Sequence, residues 1–403
     1  MRSLLAFARS NPRPLLFGAL HSFFSSPGQT YVIGLFVAAI GASLAMGPAE
    51  IGALYLAATL LSAVTLIFVG HWIDHIRLVH FSAAVVLGMA LACFVAAMVS
   101  GPVTLFVAFY LLRLTGQGLM MHVEATATAR TFDSERGRAL GITALGIPVA
   151  QIIFPPLAVA GIAAIGWQAT YAGMGAIALL IIFPITQWLL RTFKRAPPGM
   201  TKPDGEGQKL IAGLAGMVRS RQVRLIAAAF AVFPFHMTAI MFHITTIATD
   251  KGWTAGMLAI SFPVLAIFSV CGLFLSGQLI DRISASRVFP YIFLPWLAGI
   301  AVMAAGSAEW TLPVAFALIG LGGGFSRTTV TAIWAELFGV SSLGAIRSAV
   351  AMFLTFISGL SPFLFGLVLD SGASVSAALW GLVIVGLVLL IPAFMSTRPT
   401  TSA

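Results

Sequence analysis

Apolar residues in this chain fall in long, almost unbroken runs, not in the two-residue alternation of strands or the narrow stripes of soluble helices. Twelve runs approach or exceed the roughly 20 residues that cross a hydrocarbon core about 30 Å thick. They cover 15–40, 50–72, 78–100, 102–128, 136–164, 167–190, 222–249, 254–280, 287–307, 309–333, 343–369 and 374–395. Most turns between them are short and built from Gly, Pro and Ser, as in Ala45-Met-Gly-Pro48 and Ser100-Gly-Pro102. The exception is Arg191 to Arg221, which carries Pro197-Pro198-Gly199, Pro203, Gly205 and a cluster of basic residues, and reads as a solvated linker. The predicted organisation is a six-helix half over 1–190, a linker over 191–221 and a second six-helix half over 222–403. The first run is too long for a signal-peptide core and reads as a permanent span.

Composition agrees with that pattern. Hydrophobic residues make up 59% of the chain and charged residues 8%, against about a quarter charged in a soluble domain. A soluble globule and a disordered chain are both excluded, and the expected fold class is an all-α membrane protein of twelve transmembrane helices. The net charge of +10 follows from topology and calls for no nucleic-acid partner. With the N-terminus inside, Arg2, Arg9, Arg13, Arg77, Arg130, the linker cations, Arg282 and Arg287 lie on the inner side, and Lys251 alone lies outside. That asymmetry predicts cytoplasmic termini and a multi-pass plasma-membrane protein. Cys93 and Cys271 sit in apolar runs of opposite halves, which suits packing and not a disulfide or a metal site. Gly320-Leu-Gly-Gly-Gly-Phe325 lacks the Lys-Ser/Thr of a phosphate loop and reads as close helix packing. With no nucleotide loop, zinc-ligand cluster or Ser-His-Asp pattern, neither a cofactor nor an enzymatic activity is expected.

One polar stretch occurs twice. Gly70-His-Trp-Ile-Asp74-His-Ile-Arg77 follows the second run and Gly277-Gln-Leu-Ile-Asp281-Arg282 the eighth. A motif recurring half a chain apart marks two copies of one large unit. Further stretches are Phe132-Asp-Ser-Glu-Arg136-Gly-Arg138-Ala-Leu-Gly141, Trp334-Ala-Glu336-Leu-Phe-Gly339, Leu343-Gly-Ala-Ile-Arg347 and Ser361-Pro-x-x-x-Gly366-x-x-x-Asp370. Together these resemble the major facilitator superfamily, and the last four are similar to its monocarboxylate-porter-like members. The resemblance implies that Gly70, Asp74, Arg77, Gly277, Asp281, Arg282, Arg136, Glu336 and Arg347 serve a cytoplasmic gate. It places Asp74 toward the start of span 11 and Asp281 toward the start of span 5. Two features depart from the pattern: His75 stands where Arg or Lys is usual, and Asp281-Arg282 lacks the following glycine. Span 8 also lacks the Arg of the animal monocarboxylate carriers.

Ionisable residues deep in the spans are His21, Arg113, His236, His243 and Arg327, with His122 nearer an end. They fall in spans 1, 4, 7 and 10, which in the resembled family line the central cavity. At a rise of 1.5 Å per residue Arg113 lies about 16 Å into the core, near its middle. The twelve acids all read as loop or span-end residues, so no carboxylate is expected beside it. Two roles fit Arg113: an anchor for an anionic substrate, and a structural donor to neighbouring backbone. Ser22, Ser26 and Gln29 follow helical spacing beside Pro27-Gly28, a place for a kink, and Tyr31 adds a hydroxyl. Gln117 shares a face with Arg113, His236 with His243, and Arg327 with Thr331 and Trp334, while Gln151 adds an amide from span 5.

The expected function is secondary transport by alternating access, by proton symport or anion exchange. The expected substrate is a small organic anion, with a monocarboxylate among the candidates, held by Arg113, Gln117, Gln29, Tyr31, His236, Arg327 and Gln151. Proton symport would use His236 or another histidine, whose ordinary pKa of about 6.5 suits the task. An efflux carrier for amphipathic compounds is the alternative, with 15 Met and 31 Phe as a soft lining. A sensor that has lost transport would need a signalling domain the chain does not show. Membrane lipid is the other partner, and the chain is expected to act as a monomer.

Overall fold

The computed structural model describes residues 2–132, 134–191, 219–338 and 343–396, and among them the chain is helical, without strands. It divides into two compact units, Met1–Lys202 and Pro203–Ala403. Most of the stretch read as a linker lies outside the described residues. Among the described residues, ten helical stretches are long and apolar enough to cross a membrane. One of them, Arg136–Leu190, breaks at Gly166, where φ is 82° and only glycine is at ease. Counting its two arms separately and adding the helix Thr311–Phe338 recovers the twelve runs of the sequence.

The first unit opens with α1 (Arg2–Ser10), whose Phe7 packs against Phe132 at 5.3 Å and against Leu15 and Ala139. Span 1 is not one helix. It consists of α2 (Pro12–Phe24) and α3 (Thr30–Leu44), joined through a tight turn at Ser26–Gly28. Pro27 has no N–H to give, and carbonyls left over in the bilayer need other donors. The hydroxyls of Ser25 and Ser26 supply them, to Ser22 O at 2.7 Å and Phe23 O at 2.6 Å. The break interrupts the single polar face expected of Ser22, Ser26 and Gln29.

Span 2 is α4 (Pro48–Gly70), and the first polar motif continues it as the short helix α5 (Trp72–His75). Span 3 is α6 (Leu78–Ala97). Span 4 begins as α7 (Pro102–Leu112), where the Thr104 hydroxyl accepts from the amides of Ser100 (3.0 Å) and Gly101 (3.1 Å). It widens into π-helical turns over Arg113–Met120 and resumes as α8 (Met121–Thr131). Spans 5 and 6 are α9 (Arg136–Thr143), α10 (Gly146–Ile177) and α11 (Phe183–Leu190).

In the second unit, span 7 also differs from its expected single run. It is α12 (Arg221–Phe242), capped by Ser220, followed after His243 by α13 (Ile244–Lys251). Span 8 is α14 (Ala255–Ile283), capped by Thr254, and the second polar motif forms its last turns. After the short α15 (Ala285–Val288) come α16 (Phe293–Ala305), α17 (Thr311–Phe338), α18 (Leu343–Asp370) and α19 (Val375–Ser396). At one end Lys251 ties three spans together, donating to Ala304 O and Ser376 Oγ, both at 2.7 Å. Partial burial lowers the pKa of its amine, against the opposing pull of Asp250.

The glycine run of α17 is where α14 comes closest. A Cβ on Gly324 would stand 2.1 Å from Ser269 O, and one on Gly320 2.3 Å from Leu265 O. Small residues at such crossings let helix backbones touch. On Gly323 the nearest atom, Trp296 Cζ3, would be at an ordinary 3.5 Å. Gly324→Ala is therefore expected to destabilise the protein by about 1–3 kcal/mol, the usual cost of overpacking, while Gly323→Ala melts like the parent. Thermal unfolding of the two variants in one detergent checks the contrast.

Candidate functional site

The polar centre of the first unit is the contact between the broken span 1 and the widened span 4. Gly28 and Gly116 bring the backbones together: a Cβ on Gly28 would lie 2.0 Å from Leu112 O, and one on Gly116 2.7 Å from Gly28 Cα. Arg113, 4% exposed, reaches across this contact. Its Nη1 donates to Gly28 O and Thr30 Oγ1, each at 3.4 Å, and to the Gln117 amide oxygen. The guanidinium also lies 5.2 Å from the centre of the Tyr55 ring, a favourable cation–π placement. The Tyr55 and Thr30 hydroxyls share a hydrogen bond of 2.7 Å. Every one of these partners is neutral, and among the described residues Arg113 makes no ion pair. Its Nε–H is buried without a partner. Gln117 itself is exposed on the surface of its unit.

Other expected substrate contacts are placed differently. Gln29 is half-buried and donates to Ser25 Oγ at 3.2 Å. Tyr31 is buried and donates to Ser26 Oγ at 2.6 Å, which makes it a brace of the span 1 break. Gln151 is buried in α10. Arg327 is exposed on α17, as is Thr331 one turn on, whereas Trp334 is buried, so these three do not present one uniform face.

The buried histidines are each packed within their own unit. His21 Nδ1 donates to the Phe17 carbonyl (2.9 Å), and in the neutral ring its Nε2 accepts from Ser82 of span 3 (3.0 Å). His243 donates from Nε2 to Pro362 O on α18 at 2.9 Å and stacks on Phe365. His236 is completely buried between spans 7, 9 and 12. The indole N–H of Trp296 on α16 can only donate, so it donates to His236 Nδ1 at 3.3 Å. The other edge of the ring faces Gly386 on α19, where a Cβ would stand 3.0 Å from Cε1. A proton on Nδ1 would set N–H against N–H. His236, expected as a substrate contact and proton carrier, is thus packed against Trp296 and Gly386 within its own unit, with its Nε2 buried and unpartnered.

The two polar motifs are held in different ways. In the first unit Asp74 pairs with Arg130 of α8, whose Nη1 also donates to Ile73 O at 3.1 Å. His122 donates to Gly70 O at 2.9 Å from the same helix. Arg77 is exposed, and Arg136 donates to Ala129 O at 3.2 Å. In the second unit Asp281 and Arg282 are exposed, and a Cβ on Gly277 would meet nothing. There the acid comes from the other side: Glu336 of α17 accepts from Ala285 N (2.8 Å), Ser286 N (3.4 Å) and Ser286 Oγ (2.7 Å). The Arg347 side chain lies outside the described residues. Sequence reasoning missed Thr30, Tyr55 and Arg130 as partners. Thr30 and Tyr55 left a signal as polar groups inside apolar runs, and Arg130 as a cation one helix away from a repeated acid.

The Asp74–Arg130 pair is about three-quarters buried on each side. A double-mutant cycle over Asp74→Asn and Arg130→Gln, read by thermal unfolding, should give a coupling of about 0.5–3 kcal/mol, as for contacting charged groups. The same cycle between Asp74 and the exposed Arg77 should give none.

Residues 19–308 match the profile described as Major Facilitator Superfamily. No curated protein matches the chain by sequence. Its fold is similar to that of the nucleoside transporter NupG, with a TM-score of 0.75 and 14% identity over 97% of this chain and 99% of that one. It is also similar to a bacterial homologue of the human lysosomal transporter Spinster in an inward-facing, unoccupied conformation. There the TM-score is 0.68 and the identity 15%, over 96% of this chain and 98% of that one. At such identities the likeness bears on fold. The sequence match, spanning most of the chain, decides the family: this chain belongs to the Major Facilitator Superfamily.

Proposed function

We propose that the chain is a secondary transporter for a small organic anion, a monocarboxylate or a similar acid, working by alternating access. Membership of the superfamily gives a membrane transporter for small molecules and not an enzyme. The observation that carries the anion is Arg113: a guanidinium buried in mid-span, held by four neutral groups, with its Nε–H buried and unpartnered. An unpaired charge at that depth costs at least about 2.5–3.5 kcal/mol and is normally kept for function. A neutral solute, such as the nucleoside that names one structural neighbour, would leave the cation uncompensated. Gln117, exposed and bonded to Arg113, would share the substrate's oxygens, with Gln29 close by in span 1. Arg327, exposed on its unit, is the cation that the second unit offers.

The two polar motifs serve as gates that must loosen in each cycle, and the halves are joined by the linker over 191–221. On this reading the protein works as a monomer in the plasma membrane, with cytoplasmic termini, the orientation that its Lys and Arg asymmetry supports.

Uptake of labelled acetate, lactate, pyruvate and oxalate into proteoliposomes tests the function directly. Arg113→Lys keeps the charge and loses the planar fork. With charge-assisted bonds worth about 1.5–3 kcal/mol, affinity for the transported acid should fall about 10- to 150-fold. Arg113→Gln should abolish binding while the protein still folds. Thermal unfolding with and without the acid separates this from a structural role, which would lower the melting of both variants and leave the ligand response intact. A stable Arg113→Gln protein with a full ligand response sinks the anion site.

A further inference from the structure

Glu124 is the one buried carboxylate among the described residues, 4% exposed, and nothing above uses it. The sequence placed it near a span end; the fold encloses it in α8, about 16 Å along the helix from Arg113. Its hydrogen-bond partner is the Thr143 hydroxyl at the end of α9. That hydroxyl also lies 3.2 Å from Ala139 O and 3.3 Å from Leu140 O, and it has one proton to give.

Ionised, Glu124 would take the Thr143 proton away from those carbonyls and remain a buried anion with a single hydrogen bond. Protonated, Glu124 donates to Thr143 Oγ1, and Thr143 donates onward to Ala139 O. One added proton completes the chain of donors and acceptors.

Among the described residues no ion pair holds the charge instead. The elements packed closely against α8 are α2, α9 and the π-helical turns of span 4. On α2, Arg13 lies over the Trp188 ring and His21 bonds Phe17 and Ser82. On α9, Arg136 reaches the Ala129 carbonyl and Arg138 pairs with Glu135. Arg113 faces Gly28, Thr30 and Gln117, while on α8 itself His122 faces Gly70 and Arg130 faces Asp74.

We propose that Glu124 is the proton-carrying carboxyl of this transporter and that Thr143 is its positioning residue. The inference rests on the anion-transport reading for its cargo. A proton taken from water on one side binds the carboxylate, and the Thr143 hydroxyl turns from Glu124 to Ala139 O. On the other side the proton returns to water and the hydroxyl turns back. No other bond changes, and a monocarboxylate moving with the proton makes an electroneutral pair.

The full-length protein in proteoliposomes tests this in two ways. Infrared difference spectra between neutral and alkaline pH should show a protonated-carboxyl band that vanishes in Glu124→Gln and moves in Glu124→Asp. A pH-sensitive dye inside the vesicles should report proton entry when lactate, pyruvate or oxalate is added outside. Glu124→Gln should lose that proton entry and keep exchange of the labelled acid. Thr143→Val should move the pH midpoint of uptake, and Thr143→Ser should restore it, which a merely structural contact would not do. A band and a proton signal that both survive Glu124→Gln overturn the proposal. So does an unmoved band in Glu124→Asp, the deciding variant if Glu124→Gln does not fold. If no acid exchanges in the parent protein while the band behaves as expected, the anion reading fails and the Glu124 assignment as a proton-binding group stands.

Discussion

The first unit is arranged around a carbonyl that its own helix cannot satisfy. In hydrocarbon each backbone polar group must find a partner within the protein, and span 1 breaks that ladder at Ser25–Gln29. Serine hydroxyls repair the upstream side locally. On the downstream side the Gly28 carbonyl receives Arg113 from span 4. The Gly28–Gly116 contact makes that reach feasible, since any side chain at either glycine would force the two spans apart. The Tyr55 ring, the Thr30 hydroxyl and the Gln117 amide then complete a polar knot around one charge. The π-helical turns that begin at Arg113 belong to the same arrangement, and such departures from α geometry are frequent at functional sites.

The two units solve the problem at their polar motifs with opposite chemistry. In the first, the acid of the motif pairs with a cation of the following span, and a histidine holds the motif's glycine carbonyl. In the second, the following span supplies the acid, and the loop answers with backbone amides and a serine hydroxyl. Hydrogen bonds to an ionised acceptor are about twice as strong as neutral ones, so either arrangement can anchor the loop. The sequence repeat is therefore a repeat of position and not of partners. Asp281 looks like the counterpart of Asp74, yet Glu336 does the corresponding holding within its unit.

The spans and the family were legible because hydropathy over 20 residues needs no knowledge of packing, and because Pro27-Gly28 marks a break by its backbone chemistry. Gly166 sits at the boundary the apolar runs already implied. What stayed hidden was side-chain direction. His236 and His243 stand seven residues apart, which in an ideal helix means one face. In the fold one meets Trp296 and Gly386 and the other Pro362. Residue counting also misjudged Glu124, because distance from a span end says nothing about which neighbouring helix covers the residue. Tyr31 offered a hydroxyl in the right span, and the partner that takes it up, Ser26, is placed by a turn that no periodicity predicts.

Arg113 and Glu124 raise a last question of coupling. A chain selected for stability alone would do as well with apolar residues, since replacing buried charged groups by well-packed ones is often neutral or stabilising. Nor do the two neutralise each other. At about 16 Å and an effective dielectric constant near 20, two unit charges interact by about 1 kcal/mol. That changes an equilibrium by about fivefold, too little to make a proton and an anion move together. On the proposed reading, obligatory coupling has to come from a structural element with two arrangements that both sites bias. Span 4 meets that requirement better than any charge pair. It carries Arg113 at the start of its π-helical turns, Glu124 beyond them, and His122 and Arg130 on the first polar motif. Rewinding those turns would alter the register between anion site, proton site and motif at once.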